Sequence, residues 1–581
     1  MQGALSQRES TVKAQNLPRP PGGRVPETNA AELLPFGHGR YQVVCLLNSV
    51  LAGATLFYHL FTVRLTTQVM DHWCRPPDAF ANLSAAEWKE LAIPLEEDGS
   101  RSRCTRRDPP DAGDDANVLR CREWDFDYSY HGYNVVSEWQ LVCERSWLLV
   151  VSYYIYFTSS VIWLPVLGRA ADRVGRKIVV TLSAPPLIIS SFGSVLTRSF
   201  LFFSTMRLVM SATTAALAVV LLVALYEATE SSHRATFCIG SLALSFMCSI
   251  VPFLIVAHLQ LDWQTCYLVL MVPTSLHVAL FYTVDESYRW LMATWHTKAA
   301  ERVALRAAQM NDASLDHCWA AMGKAVEVLP VHDVSGDTAV KRQRASSIFS
   351  KELIGRSLLL SYIWSTFNFA YTLTILSGAF PLNAAASLVG ASFILPLFAV
   401  CYWAVCHVGV KATFSACSLV ISVASLLLAG THAALEGTYL ATALVLSLRV
   451  AITVNVSLCL YLPLLCYPTK ARMPQNALKT CVVASRCMGL SFSFAVGRLV
   501  GNTGELLMRH YAPDQLLELG AAIQGALLAL AAVATQFLPD LSAEERCAKA
   551  PSTQSSRKEG FIALQNTLVP LPKGPVRRHK Q

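Results

Sequence analysis

A chain of 581 residues that is 53% hydrophobic and only 15% charged, with a mean hydropathy of +0.38, is not an ordinary soluble domain, because such domains carry about a quarter charged residues. Its net charge of +8 raises nucleic acid as a partner, but the Lys and Arg residues gather in connectors and tails, where the positive-inside bias of membrane proteins places them. The apolar blocks between them run to roughly 20 residues, the length that spans a hydrocarbon core, so the expected class is an all-α multi-pass membrane protein whose partner is the lipid bilayer and not nucleic acid.

Residues 1–40 are polar and rich in Pro and Gly, and read as a cytoplasmic tail without a cleavable signal peptide. The first apolar run, 41–63, is therefore expected to direct the chain to a membrane itself. Residues 64–146 then form a polar loop too long for a plain connector. Cys74, Cys104, Cys121 and Cys143 lie in it, an even number that suits a disulfide framework on the oxidising side, with three possible pairings. Zinc is the competing reading, but it wants a CxxC-type spacing that these cysteines lack. The triplet Asn82-Leu83-Ser84 marks the same loop as a glycosylation acceptor.

Further spans are expected at 147–167, 178–197, 200–225, 237–259 and 264–284, which completes an N-terminal half of 41–284. A polar, helix-prone insert occupies 285–355, with helix formers over 299–310 and a basic cluster at Lys341-Arg342-Gln343-Arg344. A solvated helix on the membrane surface suffices to account for it. Six more spans follow at 356–380, 384–406, 412–430, 438–463, 475–499 and 516–538, a C-terminal half of 356–538, before a basic tail at 539–581. The expected fold is thus twelve transmembrane helices in two six-helix halves with a disulfide-bearing extracellular loop.

Orientation follows from the short connectors. Arg173, Arg176, Lys177, Arg234, Lys411, Lys470 and Arg472 lie in connectors 2–3, 4–5, 8–9 and 10–11, whereas connectors 5–6, 7–8 and 9–10 carry essentially no Lys or Arg. Both termini and the insert are then cytoplasmic and the cysteine loop is outside, which agrees with its cysteine chemistry. Two halves of six spans imply a substrate site between them near the midplane.

The connector at 168–177, Gly168-Arg169-Ala170-Ala171-Asp172-Arg173-Val174-Gly175-Arg176-Lys177, is the densest charged stretch between two spans. Gly168 permits close helix approach and Gly175 a left-handed turn. Asp172 suits a helix start or the positive end of a neighbouring helix. Arg173, Arg176 and Lys177 suit acids or lipid phosphates. A plain positive-inside turn accounts for the cations but not for the GxxxDRxGRK spacing. A decayed echo, Cys406-His407-Val408-Gly409-Val410-Lys411, sits between the eighth and ninth spans and keeps only the Gly and one cation.

That spacing is the signature of the major facilitator superfamily. The chain resembles its organic cation/anion/carnitine transporter family, the solute carrier family 22 type, over residues 36–540. The resemblance is carried by Asp71-His72-Trp73-Cys74, by Cys121-Arg122-Glu123-Trp124-Asp125-Phe126-Asp127 and by Val136-Ser137-Glu138-Trp139-Gln140-Leu141-Val142-Cys143. Glu286-Ser287-Tyr288-Arg289-Trp290-Leu291 and Tyr467-Pro468-Thr469-Lys470-Ala471-Arg472 extend it. It implies an outside cap domain and alternating access for small organic ions at the plasma membrane. It also implies a cytoplasmic gate of Asp172, Arg173, Arg176 and Lys177 with Glu227, Arg234, Glu286 and Arg289 as partners.

This chain departs from the family pattern at Tyr288, where a Pro is usual, and at Leu465, where a Glu generally precedes Tyr-Pro-Thr. Thr372 and Leu373 replace the second Tyr and the Gly of the family's Tyr-Tyr-Gly-Leu. A gate with acids on one half alone is expected to close less symmetrically.

Trp364, Phe367, Phe369 and Tyr371 crowd the seventh span. Aromatic faces in a midplane cavity bind flat organic ligands, cations among them; lipid-facing or packing aromatics are the alternative. The match of Trp364, Phe369 and Tyr371 to the family's aromatics favours the cavity. Arg449, Arg486 and Arg498 lie within or near the tenth and eleventh spans, where a charge normally faces a cavity or a partner. The family tends to carry Asp in the eleventh span of cation carriers and Arg in that of anion carriers, so Arg486 leans toward an anionic or zwitterionic substrate. For Arg498 a snorkelling interfacial position is the alternative to a cavity.

No GxxxxGK[ST] loop for ATP and no metal-ligand spacing is present in the sequence, so no enzyme activity, cofactor or metal is expected, and transport would be facilitative, exchange or coupled to an ion. His59 and His258 read as packing or interfacial residues. Two functions remain open: a polyspecific transporter of organic cations, anions or zwitterions such as carnitine, and a transport-incompetent relative kept as a membrane receptor or interaction protein, which the decayed 406–411 loop and Leu465 motivate.

Overall fold

The computed structural model describes residues 34–539, except 67–69, 97–98, 111–116, 129–131, 260, 295, 328–347, 351–352, 377–383, 436–437, 468–485 and 512–515. Residues 1–33 and 540–581 of the tails, the Lys341 to Arg344 cluster, Lys470 and Arg472 therefore lie outside the described residues.

The first half comprises α1 (Arg40–Thr66), α2 (Ser146–Val174), α3 (Arg176–Leu196), α4 (Phe200–Ala228), α5 (Arg234–His258) and α6 (Trp263–Thr283), the last passing through a 3-10 stretch at Val272–Ala279. The second comprises α7 (Ile354–Tyr371), α8 (Ala384–His407), α9 (Val410–Leu435), α10 (Tyr439–Cys466), α11 (Arg486–Tyr511) and α12 (Leu516–Gln536). Among the described residues ten helices are long and apolar enough to cross a membrane. The expected seventh and eleventh spans are not among the ten: α7 has 18 residues and carries Arg356 and four Ser or Thr, and α11 holds Arg486, Arg498 and Glu505. These two helices pack closely on each other, and α11 also packs on α2. Their polarity fits helices that face protein or a cavity more than lipid.

Within each half, α1 packs on α4 and α5, and α9 packs on α10 and α12. The halves meet along α2 with α11 and α5 with α8. Prolines at 165, 252, 396 and 463 sit inside helices, which neighbouring helices tolerate by re-satisfying the freed carbonyls.

The long polar loop folds into two short antiparallel ladders. His72–Cys74 pairs with Trp124–Phe126, and Thr105–Asp108 with Asn117–Arg120. Of the three open pairings the structure has Cys74 with Cys121 and Cys104 with Cys143. The first bond joins segments that the 72–74 and 124–126 ladder already brings together, whereas the second ties the start of the other ladder to the turn that precedes α2. His72 approaches Cys104 and Cys143 in a group of metal-ligand type, but both sulfurs belong to the disulfide. Asn82 is exposed, while Ser84 caps the helix Ala85–Ala92 in a reciprocal box with Glu87.

The insert after α6 is more than a solvated helix. Thr297–Met310 buries Ala300, Ala304, Ala307 and Ala308, one face at helical spacing, in a cluster with Phe36 and Tyr41 at the start of α1. Asn311 fastens it by accepting the Tyr41 backbone N–H at 2.8 Å and donating to the Phe36 carbonyl at 3.0 Å. Small alanines allow that close approach, which helix propensity alone does not reveal.

Candidate functional site

α2 ends and α3 begins at one residue, Gly175, whose φ is 110°. Only glycine adopts that backbone without strain, and a Cβ there would collide with the Glu286 carboxylate. Glu286 accepts the backbone N–H groups of Arg176 at 2.7 Å and Lys177 at 3.1 Å, an acid placed on the positive end of α3. Burial pushes the Glu286 carboxyl up, and those N–H bonds with the Arg176 guanidinium pull it partly back.

The Arg176 side chain turns into the bundle and is wholly buried. Its Nη2 lies 3.3 Å from Asp172 and 3.0 Å from Glu227, whose side chain is equally buried. A guanidinium without water is held only when carboxylates and carbonyls replace its hydration. Trp290 closes the cluster, donating from Nε1 to the Asp172 carbonyl at 2.9 Å and placing its ring 5.7 Å from the guanidinium.

Asp172 also reaches the other half. It accepts the backbone N–H of Met488 at 2.8 Å and that of Cys487 at 3.4 Å at the start of α11. The helix dipole favours a carboxylate at this end. Gly168, one turn back, makes the approach possible, because a Cβ there would meet Ser491 and the Cys487 carbonyl.

Beside this lock the ring of Tyr226 lies 4.6 Å from the Arg234 guanidinium and 4.4 Å from that of Arg486. Arg234 donates to the Tyr226 hydroxyl and, with Arg289, to the Thr229 carbonyl. Burial, and then the neighbouring Arg234 and Arg486 charges, push Arg289 down to about 9. The residues expected at a gate therefore converge here, except that the Arg173 side chain is exposed and that of Lys177 half-exposed.

The echo between α8 and α9 keeps the turn and loses the charges. Gly409 has φ 100°, Val410 is buried at the place of Arg176, and Cys406 stands where Asp172 does. Lys411 donates to the carbonyls of Gln536 and Leu538 at the end of α12. Across this second seam, Thr236 and Tyr402 share a hydroxyl hydrogen bond at 2.9 Å.

A cavity lies between the halves. α1 and α2 supply Leu56, Phe57, Leu60 and Phe157; α7, α10 and α11 supply Trp364, Phe367, Asn368, Tyr371, Val456, Leu460, Phe494 and Arg498. The Arg498 guanidinium sits 5.6 Å from Phe157 and 4.6 Å from Phe494, and donates to Ser160 at 2.9 Å. Among the described residues the Trp364 indole N–H and the Tyr371 hydroxyl have no hydrogen-bond partner. The lining thus combines aromatic faces with three buried donors and contains no acid.

Two expected cavity residues lie elsewhere. Phe369 points from α7 to α11, against Gly501 and Gly504. Arg486 is the first residue of α11, donates to the Leu464 carbonyl at 3.0 Å and stacks on Tyr226, at the lock. The arginine that faces the cavity is Arg498, three helical turns further on, for which snorkelling was the alternative. Register decides this: the N-terminus of α11 is pinned to Asp172, so only later residues reach the middle of the helix. Thr372, at a π turn ending α7, bonds Asn502 of α11 at 2.9 Å. Trp290 and Tyr226 escaped the sequence reading as gate residues; Trp290 lay inside a quoted motif, and nothing in the sequence marked Tyr226.

No protein-family model matches the chain. It is 24% identical over 357 residues to human solute carrier family 22 member 7, covering 58% of this chain and 64% of that protein. To human solute carrier family 22 member 23 it is 27% identical over 301 residues, 47% and 43% of the two chains. To rat solute carrier family 22 member 6 it is 25% identical over 351 residues, 58% and 62%. The matched stretch thus spans less than two thirds of these relatives. Among solved structures, the major facilitator superfamily proton:xylose symporter XylE bound to a bromodeoxyglucose aligns with a TM-score of 0.58 at 14% identity, over 87% of this chain and 97% of that one. The partially occluded inward-open xylose transporter from E. coli aligns at 0.54 and 13%, over 86% and 100%. The shared fold is that of the major facilitator superfamily.

Proposed function

We propose that this chain, a solute carrier of the family 22 type with a major facilitator fold, is a polyspecific transmembrane transporter of small organic ions, leaning toward anions and zwitterions such as carnitine. The observation that carries the lean is the cavity itself: Arg498, the Trp364 N–H and the Tyr371 hydroxyl face a lining of aromatic rings with no acid among them. An organic carboxylate would set its charge on Arg498 and its apolar body on Trp364, Phe494 and Phe157. Few directional donors and many rings favour a family of ligands over a single one.

Transport would follow alternating access. Asp172, Arg176 and Glu227 lock α2 and α4 against α11 and hold one end of the cavity shut; release of the Asp172 contact frees α11 and lets the halves rock apart. In this reading α7 and α11 complete a set of twelve spans, the lock lies on the cytoplasmic side with both termini, and the disulfide-built loop is an outside cap bearing a glycan on Asn82, at the plasma membrane. A coupled or exchanged ion is a further partner. Saturable uptake of p-aminohippurate, urate or carnitine, in preference to tetraethylammonium, by surface-expressed protein is the expected result. A properly delivered protein that takes up no ion class overturns the proposal.

A second reading rests on Cys406 and Val410. With no charged lock on the second half, the chain would serve as a ligand-binding receptor or interaction protein that does not cycle. It predicts ligand binding without counterflow, so substrate-dependent exchange across a vesicle membrane rules it out.

A further inference from the structure

Arg207 lies about two turns from the start of α4 with no exposed surface. Its Nε, Nη1 and Nη2 have no hydrogen-bond partner among the described residues, and no carboxylate there forms an ion pair with it. The guanidinium lies 5.1 Å from the ring of Tyr156 on α2 and 5.4 Å from that of Phe203 on α4. Phe203 in turn packs at 6.2 Å on Tyr267 of α6. Two aromatic faces ease the charge but do not replace three lost hydrogen bonds, and a bare buried cation costs several kcal/mol.

The hydroxyls that surround it are in the same condition. Tyr156 Oη, Tyr267 Oη and Ser211 Oγ are buried without partners among the described residues. Ser211 is four residues from Arg207 on one helix face, and Arg207 and Tyr267 each interact electrostatically with Tyr156. A guanidinium with five N–H donors beside three hydroxyls is a donor-rich set whose only acceptors are neutral, and it lacks a negative charge. The titratable groups on neighbouring elements, His59 on α1 and His277 on α6, bring no negative charge.

We propose that the Arg207 cluster, enclosed by α2, α4 and α6, is a binding site for a small monovalent inorganic anion of halide size, separate from the Arg498 cavity. The guanidinium supplies the charge, and the Tyr156, Ser211 and Tyr267 hydroxyls supply the remaining coordination. An organic anion is too large, because Tyr156 and Phe203 close on the guanidinium on two sides. Tyr156 stands between Arg207 and Arg498 and senses both charges, so occupancy here would tune the cavity's appetite for an anionic ligand.

The test needs no transport and stands apart from the proposed function. Purified full-length protein is melted in sodium gluconate with chloride, bromide or nitrate added at constant ionic strength. The expected result is a saturable rise in melting temperature that Arg498→Gln retains and Arg207→Met abolishes. Arg207→Met should also melt no lower than wild type in gluconate, since it removes an uncompensated charge. Should that variant fail to fold, Ser211→Ala with Tyr267→Phe serves instead, and is expected to raise the half-saturating chloride concentration about tenfold. A wild type indifferent to chloride, or a response that survives in the Arg207 variant or in that double variant, overturns the proposal; a response that Arg498→Gln removes assigns the anion to the cavity and overturns it equally.

Discussion

The carboxylate of Asp172, at the end of α2, accepts the backbone N–H of Met488, at the start of α11, at 2.8 Å. This bond joins the two halves of the protein, and the charge–dipole attraction behind it needs an ionised side chain. Asp172→Asn keeps the shape and one acceptor but gives up the charge, and it weakens the pairing with Arg176. We expect a shift of about 1–2 kcal/mol toward the open arrangement, roughly a 5- to 30-fold change in population. Alkylation of a cysteine introduced at Ser491, next to Gly168, should quicken accordingly; an unchanged rate would show that this contact does not hold the gate.

Arg176 and Glu227 are both fully buried, with 3.0 Å between them. Removing one partner strands the other, so Arg176→Met and Glu227→Gln should each destabilise by about 3–5 kcal/mol. The double variant should cost less than the sum, because neither charge remains. Thermal melting of all four proteins in detergent gives the coupling directly, and strict additivity would mean that the pair does not act as a unit.

Charge selectivity should follow Arg498 rather than Arg486. Arg498→Gln is expected to lower anion uptake by about tenfold or more, the worth of one charge-assisted hydrogen bond, with little effect on apolar ligand affinity. Arg486→Gln should leave the anion-to-cation ratio near that of wild type and act instead on gate closure, through Tyr226. Uptake ratios for p-aminohippurate and tetraethylammonium separate the two roles, and a ratio that moves with Arg486 would return the selectivity to that residue.

Glu286 supplies a pH dependence. Burial holds its carboxyl above the ordinary carboxylate value, so it binds a proton more tightly in this closed arrangement than where it meets water. Acidification through the range just above that ordinary value therefore favours the closed gate, and this stabilisation is lost as pH rises through the folded value. The ratio of gate-cysteine alkylation rates, wild type over Glu286→Gln, taken at each pH so that the thiolate fraction cancels, should fall with falling pH. A ratio that does not change with pH would place the titration elsewhere.

The two halves share a turn and differ in chemistry, and both facts are visible in Gly175 and Gly409. Each glycine takes a positive φ, 110° and 100°, because two helices must meet there across only one or two residues. The sequence marked both by their spacing. It also marked the loss of charge around Gly409, though only the folded chain reveals what Lys411 does instead, capping α12 by hydrogen bonds to Gln536 and Leu538.

Membrane class, the cysteine loop and the charged connector were legible by themselves, because each depends on local composition and on spacings of a few residues; the eleventh helix, expected at 475–499, runs on to Tyr511, an end hidden from the sequence because its polar residues blur the hydropathy signal. The disulfide pairing was not legible, since it depends on which distant segments of the loop the fold brings together. Nor was the exchange of roles between Arg486 and Arg498. Both are cations on one helix, and the sequence has no measure of depth until Asp172 fixes where that helix begins. Contacts such as Asp172 with Met488, 316 residues apart, decide register, and register decides which arginine stacks on Tyr226 and which meets the cavity.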